Sequence, residues 1–263
     1  MKHEVAVLGP AGTFTEKAAK TLYPKHEPKY MESVEDVFEY VTEENGFGVV
    51  AVENSLEGSV GPSLEGLMNY DVKINGETIL DISLCLMAKE DVEKDAIKLI
   101  MSHSHALAQC RRYIKKNYPA AKTQATSSTS EALRQASERD DVAAVGLNET
   151  GLRYGLNILD EDVQDEDSQT RFIAISKKEV SGRKSSIIFA VKDEPGALYA
   201  IVKQFADNNI NMTKIESRPS RKKLGEYIFY VDYQNNDMND NQKDTLHARI
   251  RERTTSFKYL GSY

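Results

Sequence analysis

Short apolar runs and amphipathic stretches alternate along the first two-thirds of the chain, and the period of each predicts an element. Glu4-Val5-Ala6-Val7-Leu8, Gly48-Val49-Val50-Ala51-Val52, residues 97–101, Val142-Ala143-Ala144-Val145-Gly146 and Phe172-Ile173-Ala174-Ile175 read as short buried strands. Residues 78–88 read as one longer strand, able to carry the chain from one lobe into another. Between these runs, Ala18, Ala19 and Leu22, and then Val34, Val37, Phe38 and Val41, recur at helical spacing. Further helices are predicted over 63–70, 106–117 and 130–137, and the segment up to Leu159 reads as helical with a terminus at Gly155. Strand and helix in alternation predict parallel sheets joined by right-handed crossovers.

The texture changes after an acidic turn over 160–167, the strand at Phe172, and a basic turn containing Lys177, Lys178, Arg183 and Lys184. Ser186-Ile187-Ile188-Phe189-Ala190-Val191 reads as a strand, and Leu198, Ile201, Val202 and Phe205 as a helical stripe. Residues 210–217 read as extended, 227–233 as a strand, 234–241 as a polar loop, Leu246 and Ile250 as helix, and 257–260 as a last strand. That order, βαββαβ, is ferredoxin-like, and its apolar stripes are read as core.

Polar residues collect where strands end. Glu53-Asn54-Ser55, Ser102-His103-Ser104-His105 and Ala125-Thr126-Ser127-Ser128-Thr129 each follow an apolar run, and Thr170-Arg171-Phe172 opens one. Thr13 with Glu16, and Ser128 with Glu131, have the form of capping boxes at helix starts. Open α/β sheets bind ligands at the carboxyl ends of their strands, and helix N-termini favour anions. The pattern therefore predicts a cleft rich in neutral donors, suited to a small polyanion and needing no cofactor. Gly9-Pro10-Ala11-Gly12 lacks the spacing of either common phosphate-binding glycine motif, which argues against a nucleotide.

Composition narrows the partners. A length of 263 residues suggests two domains, and a net charge of -7 argues against a nucleic-acid or anionic-membrane surface, so an anionic ligand must be held locally. No apolar run reaches transmembrane length and no signal peptide is read ahead of Val5, so a cytoplasmic protein is expected. Cys85 and Cys110 form no CxxC and read as buried thiols; His103 and His105, two apart and without a third ligand, are not expected to bind metal.

The motifs, in this order, resemble those of bacterial and archaeal prephenate dehydratases, in which a catalytic domain precedes a phenylalanine-sensing ACT domain. The resemblance covers nearly the whole chain. It rests on Gly9-Pro10-Ala11-Gly12-Thr13-Phe14-Thr15, Glu53-Asn54-Ser55 with Gly58 and Val60, Ser102-His103 with Ala106-Leu107-Ala108-Gln109-Cys110, Thr126 to Thr129, Tyr154-Gly155-Leu156 and Thr170-Arg171-Phe172. In the last part, Gly196-Ala197-Leu198 and Glu216-Ser217-Arg218-Pro219 resemble two phenylalanine-binding motifs. The chain departs from the pattern where Ala51-Val52 replace Pro-Ile, Ser104-His105 replace Pro-Gln, and Ser168 replaces Asn.

What the resemblance implies is a two-lobed catalytic domain over 1–180, of the type II periplasmic-binding-protein kind, and an ACT domain over 185–263. One lobe takes about 1–76 and 162–180, the other about 77–161. The implied reaction is loss of carbon dioxide and hydroxide from prephenate to give phenylpyruvate, in phenylalanine biosynthesis. Thr170 is implied at the leaving hydroxyl, with Asn54, Ser102 and Gln109 as further catalytic groups. Because a threonine hydroxyl is a very weak acid, Thr170 is expected to donate a hydrogen bond or relay a proton, with Glu53 as a reservoir if it is buried. Thr13, Ser55, Ser128, Thr129, Arg171 and Phe172 are expected to bind substrate, and for Arg171 a carboxylate clamp and a structural ion pair are both open. Gly196, Ala197, Leu198, Asn211, Glu216, Ser217, Arg218 and Pro219 are expected to hold L-phenylalanine between paired ACT domains of a homodimer; a further pairing into a homotetramer is left open. Arogenate dehydration and a catalytically silent amino-acid sensor are the alternatives.

Overall fold

The computed structural model of the 263-residue chain describes residues 3–220, 226–235 and 238–263. The first stretch runs β1 (Glu4–Leu8), α1 (Phe14–Leu22), β2 (Glu27–Met31), α2 (Val34–Glu43), β3 (Phe47–Asn54), β4 (Gly58–Ser59), α3 (Gly61–Asn69) and β5 (Lys73–Asp81). Val5, Ala6 and Val7 are wholly buried in β1, as their β-branched and small apolar side chains suit a central strand. Helix α2 begins at a reciprocal capping box, Ser33 with Asp36, and buries Val37, Phe38 and Val41. Helix α3 starts with Pro62 in its first turn, where a missing N–H costs nothing.

The chain then crosses into a second sheet: β6 (Cys85–Lys89), β7 (Leu99–His103), α4 (Ser104–Gln109), α5 (Arg111–Asn117), β8 (Lys122–Thr126), α6 (Thr129–Ala136), β9 (Val142–Gly146), α7 (Asn148–Arg153) and β10 (Leu156–Asp160). It returns to the first sheet as β11 (Gln169–Ser176). The remainder is β12 (Lys184–Ala190), α8 (Ala197–Asp207), β13 (Met212–Pro219), β14 (Tyr227–Gln234), α9 (Asp240–Arg251) and β15 (Ser256–Ser262).

Among the described residues the strands make three sheets: β2-β1-β3-β11-β5 with β4 against β3, then β10-β6-β9-β7-β8, and a four-stranded antiparallel sheet β13-β14-β12-β15. The first two form the lobes of an α/β, periplasmic-binding-protein-like shell, and the third carries the ferredoxin-like βαββαβ order. Both lobe sheets are mixed rather than parallel: β11 runs antiparallel to β3 and β5, and β6 antiparallel to β9 and β10. The reason is the double crossing between lobes, since strands that leave and re-enter a sheet need not keep its direction.

Other expectations shift locally. The run 78–88 is two strands in different sheets, parted at Ile82-Ser83-Leu84. The helix expected over 106–117 breaks at Cys110, which ends α4 and begins α5. Residues 156–160 are strand, not helix, because Gly155 takes a left-handed conformation that ends α7. Strands β2 and β8, rich in polar residues, were not legible as strands. Of the polar loop expected at 234–241, positions 236 and 237 lie outside the described residues, and Asp240 already begins α9. Cys85 and Cys110 are buried free thiols.

One apolar cluster joins the first lobe to the C-terminal sheet, placing Val52, Leu64, Leu67, Ile74 and Ile173 with Ile188, Ile228, Tyr230 and Leu260. The C-terminal module is thus seated on the opposite face of the sheet that carries β3 and β11.

Candidate active site

A cavity of about 330 Å³ lies between the lobes. The first lobe contributes Gly9, Thr13, Phe14, Thr15, Ala51, Asn54, Glu57, Thr170 and Phe172, and the second His103, His105, Ala106, Gln109, Ser127, Ser128 and Thr129. Three helix starts converge there: α1 through Thr13, α4 through His103 and α6 through Ser128, each supplying the capping side chain. Aligned peptide dipoles leave those ends partly positive, so the cavity favours an anion although no Lys or Arg is among its described lining residues.

The centre of the site is set by the pairing of β11 with β3, which puts Thr170 opposite Asn54. Asn54 Nδ2–H donates to Thr170 Oγ1 at 2.9 Å. The orientation of that amide is fixed from its other end, because Asn54 Oδ1 accepts the backbone N–H groups of Leu56 and Glu57 at 2.9 and 3.0 Å. Thr170 Oγ therefore receives a hydrogen bond from Asn54 and keeps its own proton to donate elsewhere. A bulge between Arg171 and Phe172 makes this possible: Arg171 faces Glu53 while Phe172 faces Ala51, so Val52 is the extra residue. That extra residue brings Ala51 and Asn54 to the cavity side and leaves Val52 and Glu53 on the other.

Thr13 caps α1, its hydroxyl accepting from Glu16 N–H at 3.3 Å, but the expected reciprocal bond is absent. Glu16 is 3% exposed and instead accepts the Gly12 N–H at 2.5 Å and the Tyr30 hydroxyl at 3.0 Å, with Lys20 also bonded to it. Burial alone would raise its pKa, yet these donors hold the carboxylate down to about 2. Glu16 thereby pins the glycine turn. Gly12 has φ +81 and a Cβ there would sit 2.4 Å from Thr150, so a side chain would prevent the turn from docking on α7 of the second lobe. Ser128 caps α6 by accepting from Glu131 N–H, while the Glu131 carboxylate is engaged by Arg134 and Gln135.

Four sequence-expected residues do not line the cavity. Glu53 has a side chain 39% exposed and pairs with Lys214 at 2.8 Å on the far side of the sheet, so it is no buried proton reservoir. Ser102 is fully buried and its hydroxyl donates to Val145 O at 2.6 Å, tying β7 to β9. Ser55 Oγ accepts from Gln169 N–H at 2.9 Å and closes the end of the β3–β11 pair. Arg171, next to Thr170 on a pleated strand, points away from the cavity and is bonded to Glu77, Asp232 and Tyr263; of the two readings open for it, this is the ion pair.

Three lining residues lay outside the expected site: Glu57, His103 and His105. Glu57 reaches from the first lobe to the second, accepting from Gln109 Nε2–H at 3.1 Å and meeting His105 Nδ1 at 2.5 Å. His103 Nδ1 accepts the His105 N–H at 3.4 Å, and burial, with His105 beside it, lowers the His103 pKa. The signal available in the sequence was the unusual Ser104-His105 pair itself. Ser168 is 4% exposed. Among the described residues no three potential metal ligands meet.

In the C-terminal module Gly196, with φ +84, precedes α8, whose first residues are Ala197 and Leu198. Asn211 donates to the Gln234 side chain. Along β13, Ser217 and Pro219 are exposed, while Glu216 and Arg218 turn inward to the first lobe: Glu216 is bonded to Ser59, and Arg218 Nη2–H donates to Ser59 O at 3.2 Å.

The profile of the family described as Prephenate dehydratase matches residues 5–180, and that of the ACT domain matches 185–248. A prephenate dehydratase from Methanocaldococcus jannaschii is 42% identical over 100% of this chain and 98% of its own length. An arogenate dehydratase/prephenate dehydratase from Arabidopsis thaliana is 34% identical over 98% of this chain and 71% of its own. A prephenate dehydratase from Arthrobacter aurescens, solved in complex with L-Phe, superposes with a TM-score of 0.88 at 31% identity, covering 98% of this chain and 88% of that one. Fold and cleft together define a two-lobed α/β catalytic unit bearing a C-terminal ACT module. The chain belongs to the prephenate dehydratase family.

Proposed function

We propose that this chain converts prephenate to phenylpyruvate, carbon dioxide and water, under control of L-phenylalanine bound to its ACT module. Residues 1–180 are the catalytic unit, divided into lobes at about 77 and 161, and 185–263 the sensing unit. The observation that carries the reading is the cavity: three helix starts with neutral hydroxyl and amide donors converge on the Thr170–Asn54 pair, matching a dicarboxylate with a departing hydroxyl.

Prephenate holds two carboxylates and a ring hydroxyl on a ring one step from aromaticity. When the ring carboxylate leaves as carbon dioxide, its bonding pair enters the ring and the C–O bond breaks, expelling oxygen that takes one proton to become water. The protein's part is to hold the dianion, keep the scissile groups aligned and stabilise the departing oxygen. Thr170, whose oxygen is already engaged by Asn54, offers its O–H to that oxygen; a positioned donor of this kind is worth about 2.7–4 kcal/mol. Thr13, Ser128 and Thr129, at the starts of α1 and α6, suit the carboxylates, and Phe172 supplies an apolar wall for the ring. Gln109, held by Glu57, and His103 complete the second-lobe side.

L-Phenylalanine regulation is supported by the ACT profile and by the Arthrobacter relative solved with L-Phe. Gly196, Ala197, Leu198, Asn211 and the exposed Ser217 and Pro219 are the proposed contacts, completed by a second copy of the chain in a homodimer. The effector must bind the less active state more tightly to inhibit. No described helix is long and apolar enough to cross a membrane.

Turnover of prephenate and arogenate by the purified chain, with and without L-phenylalanine, tests the reading. Phenylpyruvate from prephenate at a kcat/KM above that for phenylalanine from arogenate is expected. Preference for arogenate changes the substrate, and turnover of neither refutes the enzyme assignment.

A further inference from the structure

The strands that carry the cleft's central pair carry, one residue away and on the opposite face, the anchors of the ACT module. Thr170 pairs with Asn54 and Arg171 with Glu53 in the same β11–β3 register. On the cleft side, Asn54 holds Thr170. On the other side, Arg171, with a side chain only 11% exposed, donates from Nε to Glu77 at 2.6 Å, from Nη2 to the Tyr263 hydroxyl at 2.8 Å, and pairs with Asp232 of β14. Lys184 of β12 joins at Glu77, 2.9 Å away, and Ser186 donates to Asp232. Beside it, Glu53 meets Lys214 of β13 at 2.8 Å, and Lys214 also donates to Ser59 Oγ at 2.9 Å, next to Glu216 and Arg218 of the same strand.

We infer that Arg171 and Glu53 are positioning residues for catalysis, through which the C-terminal module sets the spacing of Thr170 and Asn54. Thr170 and Arg171 share one peptide, as do Glu53 and Asn54, so a backbone shift at either anchor is carried to the cleft face of the same strand. At the centre of the network Arg171 and Asp232 are only 11% and 10% exposed, so parting them would strand a charge in a low-dielectric site. Strand β13 places Lys214, Glu216 and Arg218 on its lobe-facing side and Ser217 and Pro219 on its exposed side, so Lys214 is the contact through which a shift of β13 reaches Glu53. The inference rests on the proposed reaction and effector for its kinetic arm, but not for its structural one.

The test uses the full chain with Asp232→Asn, Lys214→Met and Arg171→Lys, substitutions that keep shape, and Arg171→Met as the harsher variant. Displacements of about 1 Å at a reacting group cost up to about 10²-fold in rate. Expected are a fall in kcat of about 10-fold or more with KM within about 3-fold, partial rescue in Arg171→Lys relative to Arg171→Met, and L-phenylalanine binding retained by calorimetry while its effect on kcat shrinks. The Asn54 side-chain amide resonances give a substrate-free arm and should shift in Asp232→Asn and Lys214→Met. Unmoved resonances in both, or wild-type kcat and wild-type L-phenylalanine response in both, overturn the inference. A wild-type chain that ignores L-phenylalanine instead removes the effector reading, and the kcat and resonance arms still decide the positioning role.

Discussion

Replacing Asn54 by Asp changes one atom's chemistry and almost no volume, yet it should reverse the hydrogen bond on which the cleft depends. In the native chain the amide N–H₂ faces Thr170 because Oδ1 is held by the N–H groups of Leu56 and Glu57. A carboxylate keeps those two backbone bonds and presents a second acceptor to Thr170 at 2.9 Å, so the threonine must turn its only proton toward position 54. The donor to the leaving oxygen is then withdrawn at the moment charge develops on it, a loss of about 2.7–4 kcal/mol, or about 10²- to 10³-fold in kcat. The added negative charge also sits at the edge of a cavity meant for a dianion, so KM rises as well. Initial rates of phenylpyruvate formation, with Asn54→Asp, Thr170→Val and the double variant compared, measure this. Because both single changes remove the same donated proton, the double variant should lose little beyond either one. A fully additive loss, or Asn54→Asp within about 3-fold of the native kcat, refutes the argument that the amide orients the threonine proton.

Glu57 is the sole carboxylate among the described cavity residues, and His105 lies against it. His105→Gln should therefore raise KM with a smaller effect on kcat, and adding Glu57→Gln to it should bring KM back down; a double variant no better than His105→Gln argues that the pair does not compensate the charge. His247, 6% exposed and bonded to Tyr233 at 2.7 Å, has its pKa lowered to about 4 by burial. Kept neutral when folded, it contributes full stability above its ordinary value of 6.5 and loses it as the pH falls toward 4, up to about 3 kcal/mol. Denaturant midpoints at pH 7 and 4.5 should separate less in His247→Gln than in the native chain, and equal separations would show that His247 does not carry this slope. Gly66 packs so closely that a Cβ would lie 2.2 Å from the Phe38 ring. Gly66→Ala should cost about 1–3 kcal/mol and lower the melting temperature by several degrees, and an unchanged melting curve would show the α2–α3 contact to be slack.

Periodicity and turn chemistry determined much of this protein without any coordinates: the apolar runs at Val5, Val49, Ile100, Val142 and Ile173 are strands, and the βαββαβ order of the last third is as expected. These are local properties, in which each residue's propensity agrees with its neighbours. Sequence also brought Thr13, Asn54, Gln109, Ser128, Thr129, Thr170 and Phe172 forward as site candidates, and folding gathers them in one cavity. What sequence left open was direction. Thr170 and Arg171 are adjacent, Glu53 and Asn54 likewise, and nothing local says which of each pair faces the cleft; a single extra residue at Val52 in the β3–β11 register decides it. Sheet direction, the split of 78–88 and the burial of Ser102 depend in the same way on strands distant in sequence. Which side chain faces the cleft and which meets the ACT module is a matter of strand phase, and phase is fixed only when the partner strand is in place.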